Sequence, residues 1–245
     1  RRYKKPEKSY YFLKKVMDAG TADINIKSEF VDVVVNDLFN MDKHFEEIPR
    51  VVSCIHELIG VYAYYAANYY YILGIIYDLY EKDKDKAVDY YNKCLIADPG
   101  HDGAMNNLAN IVYKEDGDYE KALTLVKDAL KINSKDYNSL DTLGCIYFYG
   151  FKNYPEAIKA FEKVLKVKKT HHYSITALGE VYEEMGDNEK ALNYYLQGLK
   201  YRPKSEYKLT RLAKLYDKMG EKEELEAILK KIKKLYPEKK DILKD

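Results

Sequence analysis

The chain has 245 residues, 47% of them hydrophobic and 33% charged, which describes an ordinary globular protein of one large or two small domains. Its 41 Lys and Arg against 40 Asp and Glu leave a net charge of +1, too little to draw in nucleic acid or acidic lipid by field alone. Cys54, Cys94 and Cys145 are odd in number and form no C-x-x-C pair, so buried thiols in a reducing, cytoplasmic compartment are expected.

The opening Arg1-Arg2-Tyr3-Lys4-Lys5-Pro6 is a basic arm without an initiator Met or an apolar signal core, which leaves a missing targeting segment open. From Lys8 to Ala19 the spacing predicts a helix with Tyr11, Phe12, Val16 and Ala19 on one face and Gly20 as its stop. Residues 21–27 read as a loop, Ser28 as an N-cap, and Phe30–Met41 and Phe45–Tyr65 as helices. Residues 58–77 carry no charge and have the length of a membrane span, but seven tyrosines and Asn68 lie in that stretch. Tyrosine belongs at membrane interfaces rather than in the hydrocarbon, so two successive buried helices are expected there.

Beyond Asn68 the sequence is periodic. Leu73, Leu108, Leu143, Leu178 and Leu212 follow one another at 35, 35, 35 and 34 residues, each trailed by a small residue: Gly74, Ala109, Gly144, Gly179 and Ala213. Ala87, Ala122, Ala157 and Ala191 mark a second helix in each period, with Leu225 in that slot of the last. A small residue on each helix lets the two backbones approach, and Tyr77, Tyr147, Tyr182 and Tyr216 fill space one turn later. Gly117-Asp118 and Gly186-Asp187 read as turns whose aspartates cap the next helix. Pro99, Pro203 and Pro237 close periods. The first three periods hold one extra residue, expected in longer turns at residues 82–84 and 150–152.

The order Leu178, Gly179, Tyr182, Gly186, Asp187, Ala191, Tyr195, Gly198, Pro203 resembles the tetratricopeptide repeat, a helix–turn–helix unit. That resemblance implies an all-α, right-handed solenoid. Its expected domains are an N-terminal helical region over 1–66, with 29–65 a degenerate repeat, then five repeats over 67–237 and a tail at 238–245. It also implies a concave groove lined by the first helix of each unit. In this register the lining is Asn68, Tyr71, Asn106, Asn110, Tyr113, Asn138, Asp141, Tyr173, Thr176, Glu180, Tyr207 and Lys214. Amides and rings suit an extended peptide, because amides grip backbone and rings pack on side chains.

Catalytic motifs are wanting. His56-Glu57 has no second histidine to complete a zinc motif, and His171-His172 lacks Cys or carboxylate at ligand spacing in the sequence. Glycine loops for phosphate and nucleophile elbows are missing as well. The groove resembles neither the chaperone-tail clamp of this family, whose lysines and arginine are absent from the matching slots, nor the asparagine ladder of the O-linked N-acetylglucosamine transferases. The expectation is a non-catalytic scaffold without cofactor or metal. Its partner is another protein, offering a peptide or helix; nucleic acid is excluded and a membrane disfavoured. The alternatives are a recognition arm of a larger enzyme, such as a glycosyltransferase, and a structural subunit with a broad uncovered apolar surface around 58–80.

Overall fold

A computed structural model describes residues 6–20, 22–41, 43–239 and 242–243, leaving the side chains of 6–9, 12, 16 and 41 outside the description. The basic arm at 1–5, the Phe12 and Val16 side chains and much of the tail from 240 onward therefore lie outside it. Among the described residues there are α-helices joined by turns and no strands, so the chain is an all-α helical-repeat protein of the solenoid class. It divides into two compact units, residues 1–111 and 112–245.

The first unit holds α1 (Pro6–Asp18), α2 (Ile24–Met41), α3 (Ile48–Val61), α4 (Ala66–Ile76), α5 (Lys84–Ala97) and α6 (Asp102–Ile111). Phe30, Val34 and Leu38 of α2 bury against Ile55 and Leu58 of α3 and Leu73 and Ile76 of α4 in one cluster. Thus the uncharged stretch 58–77 is the end of α3 and all of α4, broken at Tyr62, and no helix among the described residues is long and apolar enough to cross a membrane. Its core residues are covered by the N-terminal helices, while Val61, Tyr64 and Tyr65 at the corner between α3 and α4 stay exposed.

Two local expectations shift. In α1 the buried stripe is Tyr10 and Leu13, with Met17 packed beside them, whereas Tyr11 and Ala19 face solvent. Glu47 decides this register: buried in a short 3-10 turn, it accepts the Tyr10 hydroxyl at 3.0 Å and the Lys14 ammonium at 2.6 Å. Helix α2 begins earlier than Ser28, because the Asp23 carboxylate accepts from the backbone N–H groups of Asn25 and Ile26 and so starts the helix at Ile24.

The second unit holds α7 (Tyr119–Ile132), α8 (Tyr137–Cys145), α9 (Tyr154–Val167), α10 (His172–Glu184), α11 (Asn188–Tyr201), α12 (Glu206–Met219) and α13 (Lys222–Leu235). Its helices pair in sequence, α8 with α9, α10 with α11, and α12 with α13. The Asp118 and Asp187 carboxylates accept from the N–H of Lys121 at 3.0 Å and of Lys190 at 3.1 Å, as their turns predict. Where a repeat carries glycine after its leucine, an aromatic ring occupies the missing Cβ. A methyl on Gly74 would stand 2.4 Å from the Tyr91 ring, and one on Gly144 would stand 2.5 Å from that of Phe161.

The extra residue of the first three repeats is absorbed inside a helix rather than in the turn. Residues 77–81, 112–116 and 146–150 continue α4, α6 and α8 as a π-helical turn. The closing hydrogen bond accordingly lengthens. Asn153 N–H reaches back to the Tyr147 carbonyl at 2.8 Å, and Asp83 N–H to that of Tyr77 at 2.9 Å. In the shorter repeats Asp187 reaches Tyr182 and Glu221 reaches Tyr216, one residue less. Every repeat then passes through one left-handed residue, namely Lys82, Gly117, Lys152, Gly186 and Gly220.

Candidate interaction surface on the first helices

The sequence-derived lining residues lie on α4, α6, α8, α10 and α12 and the π turn after α6, and each unit presents its own set. In the first unit, Asn68 is exposed and Tyr71 half-buried, its ring 4.5 Å from that of His101. Asn106 is buried, and its amide oxygen has no hydrogen-bond partner among the described residues. The Asn110 amide donates to the Asn106 carbonyl at 3.3 Å, while Asn107 donates to the Tyr91 hydroxyl at 3.1 Å.

The second unit gathers more of the predicted set. Tyr113 is buried and shares a hydrogen bond with the Cys145 thiol, which burial pushes up to about 12, so this cysteine is a neutral packing group. One turn back on α8, Asp141 accepts the Ser174 hydroxyl and lies 3.6 Å from His171 Nδ1. Burial holds its carboxyl above the ordinary range, against the opposing pull of Ser174 and His171.

Glu180 is the hub of this face. It is 8% exposed and accepts the Tyr149 hydroxyl at 2.7 Å and the Tyr207 hydroxyl at 2.8 Å, so one carboxylate ties α10 to the segment after α8 and to α12. Among the described residues both hydrogen bonds come from hydroxyls and no cation pairs with it. A second knot sits one turn on, where Glu183 accepts Tyr195 at 2.6 Å and the Arg211 guanidinium at 2.8 Å. Burial and then Glu180 raise the Tyr149 and Tyr207 hydroxyls well above their usual range, so both stay neutral donors.

The remaining predicted residues are dispersed. Thr176 is buried and turns its hydroxyl back to the His172 carbonyl at 2.7 Å. Tyr173 is 65% exposed with its ring against His172, Asn138 is exposed, and Lys214 is half-buried on α12. Sequence reasoning left Tyr149 and Arg211 out of the set. Tyr149 falls in the π turn, where the extra residue moves the helical register, and Arg211 shows its role only through Glu183 across the α10–α12 contact. No group of three or more His, Cys, Asp and Glu side chains among the described residues is arranged to hold a metal.

Three segments match models described as tetratricopeptide repeat, residues 67–101, 174–207 and 209–239. Over 131 residues, 54% of the chain, it is 26% identical to anaphase-promoting complex subunit 3 of Schizosaccharomyces pombe, covering 19% of that protein. Over 123 residues, 50% of the chain, it is 30% identical to the BBSome complex member BBS4 of Bos taurus, covering 23%. The chain thus spans about a fifth of the length of these relatives. Among solved structures, pilF of Pseudomonas aeruginosa superposes with a TM-score of 0.70 at 16% identity, covering 86% of this chain and 92% of that one. Periodic leucines, ring-filled glycines, aspartate-capped second helices and these matches agree: the chain belongs to the tetratricopeptide-repeat proteins.

Proposed function

We propose that the chain is a non-catalytic scaffold that holds a peptide or helical segment of a partner protein against its first helices. The observation that carries this is the Glu180 hub. A buried carboxylate costs solvation, and two tyrosine hydroxyls fix it among the π turn after α8, α10 itself and α12. That cost yields a stiff, polar, preformed face with exposed rings at Tyr173 and Tyr207, and a preformed face lowers the entropy lost on binding. The five-repeat division over 67–237 and the lining set from Asn68 to Lys214 belong to the same proposal. Both curated relatives are named as members of multi-subunit complexes, which supports an assembly role.

The test is co-purification from the native source with the full chain and with a Tyr173→Ala/Tyr207→Ala variant. Loss of a partner from the variant, with helical circular dichroism unchanged, supports the first-helix face. Equal retention by both moves binding elsewhere.

A further inference from the structure

Where a repeat carries a tyrosine one turn after its small residue, that ring has company, except in the last repeat. Tyr77 stacks on Tyr90 with ring centroids 5.4 Å apart, and Tyr182 on Tyr194 at 5.5 Å. A lysine also covers each ring, Lys86 at 5.0 Å and Lys190 at 4.9 Å from the centroid. Asp83 and Asp187 in turn hold those lysines at 2.8 Å and 2.7 Å. The α8–α9 repeat differs, but there Phe151 lies 6.3 Å from the Tyr147 ring and Lys159 neutralises Glu156 at 2.6 Å. In the last repeat the stacking slot holds Ile228, the lysine slot Glu224 and the aspartate slot Glu221. Tyr216 consequently has neither a ring contact nor a cation over it among the described residues, and its hydroxyl makes no hydrogen bond among them.

That ring lies in the floor of a groove of about 840 Å³, with Leu212 beside it and α11 and α13 as walls. The size is that of a ligand-binding cleft. Leu196 and Tyr201 on the α11 wall are 40% and 44% exposed, so apolar wall surface is open to solvent. The charges are sorted by end. Glu224 stands at one end, in the first turn of α13; burial, then Glu224 and Glu221, hold the Tyr216 hydroxyl above its usual range. Lys231, two turns on, and Lys200, in the last turn of α11, stand at the other end. Glu224, Lys200 and Lys231 have no ion pair among the described residues. Successive helices joined by short turns reverse direction, so α11 and α13 run the same way and the groove is acidic at one end and basic at the other.

We infer that this groove receives an amphipathic helix of a partner protein, laid antiparallel to α11 and α13. Its aromatic side chain stacks on Tyr216, its lysine or arginine meets Glu224, and its first-turn carboxylate lies about two turns away at Lys200 and Lys231. The partner thereby supplies from outside what Tyr90 and Lys86, or Tyr194 and Lys190, supply within their own repeats. The direction follows from charge. An antiparallel helix opposes its dipole to those of α11 and α13, and the acidic first turn and basic last turn that suit its own dipole then face the two lysines and Glu224. This surface belongs to the second helices and does not depend on a partner against the first.

The experiment is selection of a phage-displayed library of single helices, randomised on one face, against the full chain, with the enriched helices then measured as synthetic peptides. They are expected to carry an acidic first turn, with an aromatic and a basic residue about two turns on. Ile228→Tyr restores the ring of other repeats and should weaken their binding about ten-fold or more. Glu224→Lys restores the lysine, places like charges together and should weaken it by about as much. Circular dichroism checks that both variants fold, and Glu224→Lys alters only an exposed side chain. Tyr173→Ala/Tyr207→Ala should leave the affinity unchanged, which separates this groove from the first-helix face. Helices that bind either folded groove variant as tightly as the parent, or a selection that enriches no helix, overturn the inference. If such helices are lost instead from Tyr173→Ala/Tyr207→Ala, the first-helix reading stands and the groove falls. Concentration-dependent dimers of the chain that Ile228→Tyr abolishes would give the groove to a second copy and overturn it too.

Discussion

Gly179 presents its bare Cα to the ring of Tyr195, and a Cβ there would stand 2.7 Å from the ring's Cε1. The same glycine-to-ring contact joins Gly74 to Tyr91 and Gly144 to Phe161. Where the repeat has alanine instead, at Ala109 and Ala213, the corresponding second-helix slots carry the aliphatic Val126 and Leu229. The small residue is therefore matched to the size of what faces it, and overpacking is the predicted consequence of change. Gly144→Ala and Gly179→Ala should each destabilise by about 1–3 kcal/mol despite alanine's better helix propensity. Gly60→Ala on α3 meets nothing within 4 Å and should stabilise by up to about 1 kcal/mol. Urea unfolding of the three variants checks both signs.

The left-handed residue before each second helix gives an opposite pair. Lys82 at φ 55° and Lys152 at φ 52° occupy positions that Gly117, Gly186 and Gly220 fill elsewhere. A side chain in this region is strained by about 1 kcal/mol. Lys152→Gly should stabilise by up to about 0.5 kcal/mol, net of the added freedom of the unfolded chain, and Gly186→Ala should destabilise by about 1 kcal/mol. Thermal midpoints moving the other way would show that the turns relax.

How much of this was legible beforehand differs by feature. Repeat phase, capping by Asp118 and Asp187, and the small-residue slots follow from local spacing, which one sequence displays. The phase of α1 was not legible, because Tyr10-Tyr11-Phe12-Leu13 offers two apolar faces and Glu47, far along the chain, selects between them. The π turns lie earlier than the spacing predicts, because an extra residue fits that spacing equally well in the helix or the turn. The Glu180 hub joins Tyr149 and Tyr207 across separate repeats, and no local pattern announces such a pairing.

That hub has a spectroscopic signature. Burial and the Glu180 charge keep the Tyr149 and Tyr207 hydroxyls protonated beyond the usual tyrosine range. Glu180→Gln keeps an acceptor but removes the charge, so both tyrosines should ionise at lower pH in an ultraviolet difference titration. Tyr207→Phe should cost about 1.5 kcal/mol, the lower end for a hydrogen bond to a charged group because the ring is half exposed. An unchanged tyrosine titration in Glu180→Gln would contradict the hydrogen-bonded geometry.

Acid stability tests the surroundings of His172, where burial and then the Lys208 and Arg202 charges oppose the proton. The folded-state pKa of His172 lies below its unfolded 6.5, so the unfolded chain takes up the proton first as pH falls. The contribution to stability is whole above 6.5 and is lost as pH falls through the folded value. His172→Gln removes that titration and should flatten the dependence of the urea midpoint on pH below 6.5. A slope as steep in the variant as in the parent would show that His172 is not held neutral.

The central claim is that a partner lies against the first helices. Photo-crosslinking with p-benzoylphenylalanine in place of Tyr173 or Tyr207 on that face, and of Ile96 or Ile132 at the ends of second helices, tests it directly; Tyr173, Ile96 and Ile132 are all well exposed. Adducts with the same protein from positions 173 and 207, and none from 96 and 132, are the predicted result. Adducts only from 96 and 132 would place the partner on the second helices and contradict the account.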